Sequence, residues 1–101
     1  MLVITKENFK SEVEEHLGLV VIDLYADWCG PCRMLSPIVD QVAEEREDVL
    51  VGKINVDDEQ ELAQEFGVIS IPTLVVLRDG KVVHQSSGAR PKEDVLKLLE
   101  G

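Results

Sequence analysis

Residues 19–32 read LVVIDLYADWCGPC. The first eight, Leu19 to Ala26, are nearly continuous in apolar residues and rich in valine, which is the pattern of a central strand covered on both faces. Cys29 and Cys32 follow at once and are the only two cysteines in the chain. Leu35, Ile38, Val39 and Val42 then recur at helical spacing, so the strand passes directly into a long helix that starts at the cysteines and runs to about Glu45. Pro31 suits the first turn of that helix. Pro37 falls inside it, where it removes an amide donor and crowds the preceding turn, and a kink is expected there.

Working outward from this stretch, Thr5 can cap a first helix whose apolar positions Phe9, Val13 and Leu17 fall on one stripe, with Gly18 as its stop. A short strand fits Leu2 to Ile4. Downstream, Val49 to Val56 is a second buried strand. Asp58 with Glu61 then makes a start like a capping box for a helix bearing Leu62, Ala63 and Phe66, closed by Gly67. Thr73 to Leu77 and Val82 to Gln85 flank Asp79-Gly80, a strong two-residue hairpin signal. Pro91 opens a last helix burying Val95, Leu98 and Leu99. The order is βαβαβαββα. Strands that alternate with helices pair in parallel through crossovers, and the terminal hairpin adds antiparallel strands. The fold class is therefore α/β, a mixed central β-sheet flanked by helices. At 101 residues, without a repeat or linker, the chain is expected to form a single domain over residues 1–101.

Apolar residues make up 45% and charged residues 30% of the chain, the balance of a soluble globular protein. Twenty acidic against ten basic residues give a net charge of −10, which repels phosphate backbones and anionic membrane surfaces. No nucleic acid and no membrane is expected among the partners. The acidic groups gather at Glu12, Glu14 and Glu15; at Glu44, Glu45, Glu47 and Asp48; and at Asp57, Asp58, Glu59 and Glu61. They suit a solvated surface, or a docking face for a basic partner. The opening MLVITKENFK has neither the basic region nor the apolar stretch of a signal peptide, so a reducing, cytoplasmic location is expected. In that compartment a close cysteine pair is catalytic or metal-binding rather than a structural staple.

The positive end of a helix and its unpaired amides stabilise a sulfur anion on Cys29, which would otherwise titrate near about 8.5. Cys29 is thus the candidate nucleophile. Cys32, one turn inside the helix, should be more buried and act second, attacking the mixed disulfide formed by Cys29. The alternative for such spacing is half of a zinc site. Zinc needs four ligands, and only His16 and His84 could complete the set; they do not stand at the short mutual spacing common in zinc sites. Asp23 places a carboxylate inside the buried strand, where desolvation should raise its pKa and fit it to take a proton from Cys32 near neutral pH. An edge or bulge position with ordinary solvation is the competing account. Lys53, in VGKINVD, could partner Asp23 across the sheet or simply be exposed. Trp28 could shield the cysteines and offer an apolar contact to a polypeptide, or pack in the core. Ile71-Pro72 lies between a helix and a strand, and from its position alone a proline opening a strand is ordinarily trans.

WCGPC, the aspartate in VVIDLYAD, the lysine and NVD of KINVD, the IPT of SIPT and the late Gly88-Ala89 occur together in order and spacing along essentially the whole chain. In these features the sequence resembles the thioredoxin family. The resemblance implies that family's fold and a general protein-disulfide reductase activity, with Cys29 attacking and Cys32 resolving. It further implies that Asp23 and Lys53 handle the proton, and that Pro72 is a cis-proline facing the cysteines and aiming the Ile71 backbone at a substrate strand. Trp28, Gly30, Pro31, Ile71, Gly88 and Ala89 would form the docking surface. The implied partners are disulfide-containing protein substrates and a thioredoxin reductase that recycles a monomeric carrier. No metal or organic cofactor is implied beyond the redox-active Cys29–Cys32 pair. Tyr25, where many members carry tryptophan, and Ser70 depart from the common pattern.

Two other functions fit the same residues. One is an oxidase or isomerase on the same fold, which Gly-Pro between the cysteines disfavours because oxidising members usually carry histidine there. The other is a binding module that holds a partner on this face without turnover.

Overall fold

The computed structural model describes residues 1–100. Strands β1 (Leu2–Val3), β2 (Leu19–Tyr25), β3 (Leu50–Asn55), β4 (Thr73–Arg78) and β5 (Lys81–Ser87) form one sheet in the order β1-β3-β2-β4-β5. The helices are α1 (Gly30–Glu45), α2 (Gln60–Glu65) and α3 (Lys92–Leu98), preceded by a short π-helical turn at Lys10–Glu14. As the apolar run suggested, β2 is central. It pairs in parallel with β3, which also pairs in parallel with β1, and antiparallel with β4; β5 pairs antiparallel with β4. The sheet is mixed because the crossovers after β1 and β2 bring the chain back in the same direction, whereas the connection through α2 returns β4 in the opposite direction and Asp79-Gly80 turns the chain once more into β5.

Side chains alternate across a strand, so β2 serves two cores at once. Leu19 and Val21 face α1 and α3, packing with Leu35, Val39, Val42, Val51, Leu74, Val76, Val95 and Leu99. Val20, Ile22 and Leu24 face the π-helical turn and α2, packing with Ile4, Val13, Ile54, Leu62, Val75 and Leu77. Each such buried aliphatic side chain contributes about 1.5–3 kcal/mol relative to exposure. By the same alternation Asp23 and Tyr25 of β2 and Lys53 of β3 lie on the α1 side.

The hairpin forms as expected. Asp79 and Gly80 both have positive φ, 52° and 82°, the geometry that matches the twist of the flanking strands. Its tip is fastened. Asp79 receives the Gly18 N–H on its carboxylate at 2.7 Å and gives its own N–H to the Gly18 carbonyl at 3.0 Å. Gly80 lies so close to the Glu14 carbonyl that a β-carbon there would strike it.

Three local expectations are corrected. The first helix does not carry Leu17 inward: Leu17 is 83% exposed. The Glu15 N–H reaches the Lys10 carbonyl at 3.0 Å, five residues back, and the helical turn stops there, before the residue that would have continued the stripe. Asp58 and Glu61 make no capping box. The start of α2 has no side-chain cap; instead the Asn55 carboxamide accepts the Asp57 N–H at 2.9 Å, while Glu59 and Glu61 are engaged by Lys6. In α3, Leu98 is only partly buried, and Val95 and Leu99 are the residues that reach the core. The long helix α1 continues through Pro37 as a single element.

Candidate active site

The cysteines stand where β2 gives way to α1. Cys29 is the N-cap of α1, with extended backbone angles of −90° and 115°, and its sulfur accepts the Cys32 N–H at 3.2 Å. An N-cap normally satisfies one of the orphan amides of a helix with an oxygen; here a sulfur does it, so the same donor is available to a thiolate. Arg33 fixes the approach by donating from Nε and its guanidinium NH2 to the Asp27 carbonyl at 3.2 and 3.0 Å. Cys29 and Cys32 are joined as a disulfide with their Cα atoms 5.3 Å apart. Among the described residues no cluster of three His, Cys, Asp or Glu side chains could hold a metal. Cys32 is 2% exposed and Cys29 5%.

The Ile71–Pro72 peptide bond is cis, as the resemblance implied. The loop that contains it is held on both sides: Thr73 Oγ1 donates to the Ser70 carbonyl at 2.6 Å, and the Gly88 N–H donates to the Pro72 carbonyl at 2.8 Å. This leaves the Ile71 carbonyl oxygen 3.9 Å from Cys29 Sγ. A disulfide sulfur carries no proton, so this is a contact rather than a hydrogen bond.

Trp28, Cys29, Gly30, Pro31 and Ile71 line one open, mostly apolar groove of about 530 Å³, together with Val56, Ala63, Val68, Ile69 and Ser70. Trp28 is 68% exposed rather than packed in the core, and its indole N–H donates to Asp57 Oδ2 at 2.9 Å. Pro72 is buried behind Ile71, and Gly88 reaches the site through its bond to Pro72. Ala89 does not join this groove. It lines a separate apolar depression with Met34, Ile38, Arg90 and Pro91. Of the other groove residues, Val56 and Ala63 were read from sequence only as strand and helix positions, and Val68 and Ile69 were not singled out. The apolar run Val68-Ile69 between Gly67 and Ser70 has neither helical nor strand periodicity, which is the one signal that could have marked it as a surface loop of unusual character.

Asp23 is 2% exposed, so its position is a buried one in the central strand and not an edge. Its Oδ1 has no protein hydrogen-bond partner. Burial, reinforced by the negative charge of Asp40, pushes its pKa up from 3.8 to about 6, against a smaller downward pull from Lys53. Lys53 is the residue directly opposite in β3 but makes no ion pair with it.

With this geometry in place, sequence and structure comparisons give one answer. The thioredoxin family model matches residues 1–101. The chain belongs to the thioredoxin family. It is 46% identical over 96 residues to the thioredoxin of Bacillus subtilis strain 168, covering 94% of this chain and 90% of that one. It is 43% identical over 97 residues to the thioredoxin of Chlamydia caviae, covering 96% and 93% of the two chains. The solved structure of a mutant thioredoxin from Halobacterium salinarum NRC-1 superposes with a TM-score of 0.90 at 39% identity, covering 98% of this chain and 87% of that one. The mixed five-stranded sheet between helices is thus the thioredoxin fold. Family members are protein-disulfide oxidoreductases, and Cys29–Cys32 is the redox-active pair of this one.

Proposed function

We propose that this thioredoxin-family chain is a single-domain, monomeric, general protein-disulfide reductase of the cytoplasm, recycled by a thioredoxin reductase and working through its own cysteines without a metal or organic cofactor. The observation that carries the reading is Cys29 at the N-cap of α1, its sulfur already accepting a helix amide at the edge of an apolar groove. In the reduced form, the Cys29 thiolate attacks one sulfur of a substrate disulfide. A mixed disulfide forms and one substrate thiolate leaves. The Cys32 thiol passes its proton to Asp23, and its sulfur attacks Cys29 Sγ. The second substrate thiolate is released, and two electrons have moved from the dithiol to the substrate, leaving the Cys29–Cys32 disulfide. Two electrons from the reductase reopen it.

Trp28, Gly30, Pro31 and Ile71 are the substrate contacts, with Pro72 and Gly88 shaping the loop beneath them; Ala89 would meet a longer substrate only in the separate depression it lines. An extended polypeptide along the Ile71 backbone would gain main-chain hydrogen bonds that tolerate many sequences, which suits a general reductase. Asp23 and Lys53 act as the proton-handling groups. The net charge of −10 supports protein disulfides rather than nucleic acids or anionic membranes as partners. Among the described residues no helix is long and apolar enough to cross a membrane.

Replacing the cysteines tests this. Cys29→Ser and Cys32→Ser should each abolish steady turnover in an assay coupled to a thioredoxin reductase, and only Cys32→Ser should accumulate a substrate mixed disulfide, seen as added mass on a non-reducing gel. Partner function that survives both substitutions would support a binding module instead. Equilibration with glutathione should give a strongly reducing potential; one as oxidising as a disulfide isomerase would point to oxidation or isomerisation.

A further inference from the structure

Lys53 and Asp23 are register partners on parallel strands that run about 4.8 Å apart, and both lie on the α1 side of the sheet. A lysine so placed has the reach to close on the carboxylate. It does not. The Lys53 ammonium lies 5.7 Å from the centroid of the Tyr25 ring, two residues further along β2 on the same side. The face of an aromatic ring is the negative end of its quadrupole and attracts a cation within about 6 Å. The other groups facing Asp23 offer it no partner. Asp40 of α1 repels it, and its β4 neighbour in register is Leu74. Asp23 Oδ1 is left without a protein hydrogen bond.

We propose that Tyr25 is a positioning residue that holds the Lys53 ammonium over its ring and so keeps the Asp23 carboxylate unpaired and ready to accept a proton. The importance of this arrangement rests on the reading of Asp23 as the proton acceptor for Cys32. An ion pair would stabilise the charged carboxylate and weaken it as a base. Lys53 held against the ring still draws Asp23 down from a distance, but less than direct contact would. The ring face, and not the phenol hydroxyl, is what the arrangement requires.

Following the Asp23 side-chain carboxyl by carbon NMR as a function of pH tests the proposal without depending on turnover. Burial and the charge of Asp40 push its pKa up to about 6 in the parent protein. Tyr25→Leu frees Lys53 and is expected to lower the midpoint by about half a pH unit, roughly a threefold fall in proton affinity. Tyr25→Phe keeps the ring and should match the parent. In a Lys53→Met background, Tyr25→Leu should leave the midpoint where it is. An unmoved or raised midpoint in Tyr25→Leu overturns the proposal, as does a fall that persists in the Lys53→Met background, which would mean that Tyr25 acts by burial alone. The unsubstituted protein supplies a second measurement should Tyr25→Leu not fold. The Lys53 methylene protons next to the ammonium must be shifted upfield by the ring, and unshifted positions overturn the proposal. If the midpoint moves as expected while the pH dependence of reduction does not follow it, Tyr25 still holds Lys53 and it is the catalytic reading of Asp23 that fails.

Discussion

Along β2, Val20, Ile22 and Leu24 enter a face where the buried residues are apolar apart from Thr73, whose hydroxyl is satisfied by the Ser70 carbonyl. Leu19, Val21 and Asp23 enter the other face, where the same kind of apolar run ends in an unsatisfied carboxylate under the helix that carries the cysteines. One strand therefore has a side devoted to cohesion and a side that gives up some cohesion near its C-terminal end. The difference marks the proposed reaction centre better than exposure does, because Cys29, Cys32 and Asp23 are all buried. It also suggests that the two faces will answer differently to the same substitution.

The hardest test of that contrast is to put a carboxylate on the cohesive side. Ile22→Asp is expected to cost more than about 4 kcal/mol of stability, since it combines lost burial with an unpaired charge. Urea unfolding measures it, and a loss below about 2 kcal/mol would erase the distinction between the faces. A finer test uses the carboxylate already present. The folded protein raises the Asp23 pKa from 3.8 to about 6, so the protonated form is favoured by folding. That contribution is fully present below about pH 4 and is lost as pH rises through 6, a change of about 3 kcal/mol. Relative to Asp23→Asn, the parent should therefore be more stable at pH 3 than at pH 7 by roughly this amount; a difference that stays flat with pH would remove the penalty. The same substitution should slow disulfide reduction most near neutral pH, where the parent carboxylate is charged and able to take a proton. The smallest effect is expected outside the sheet. Asp57→Ala removes the partner of the Trp28 indole and should lower kcat/KM by about fivefold, equivalent to about 1 kcal/mol, while changing the fluorescence of the only tryptophan. Unchanged fluorescence would mean that the bond does not hold the ring in solution.

What could be read from the sequence follows from what each signal measures. The apolar run at Leu19–Ala26, the helical spacing after Cys32 and the Asp79-Gly80 turn are local patterns tied directly to backbone geometry, and all three reappear in the fold. Leu17 failed because its stripe assumed an even helical pitch, which the five-residue turn at Lys10 breaks. The Asp58–Glu61 cap failed because Lys6, distant in sequence, takes up Glu59 and Glu61. The site was legible in the same uneven way. Cys29, Cys32 and Asp23 announce themselves by residue type in an unusual place. The Trp28–Asp57 bond and the Tyr25–Lys53 contact join residues about thirty positions apart, and nothing in the spacing of either pair marks it.

The tip of the β4–β5 hairpin has a practical consequence. Hairpin tips are usually among the most permissive places to insert a peptide tag or to open a chain for circular permutation. Here Asp79 is tied to Gly18 by two hydrogen bonds, and Gly80 sits against the backbone of Glu14. Cargo grafted at Asp79-Gly80 would pry the amino-terminal segment off the sheet. The turn is better regarded as a clasp than as a free end.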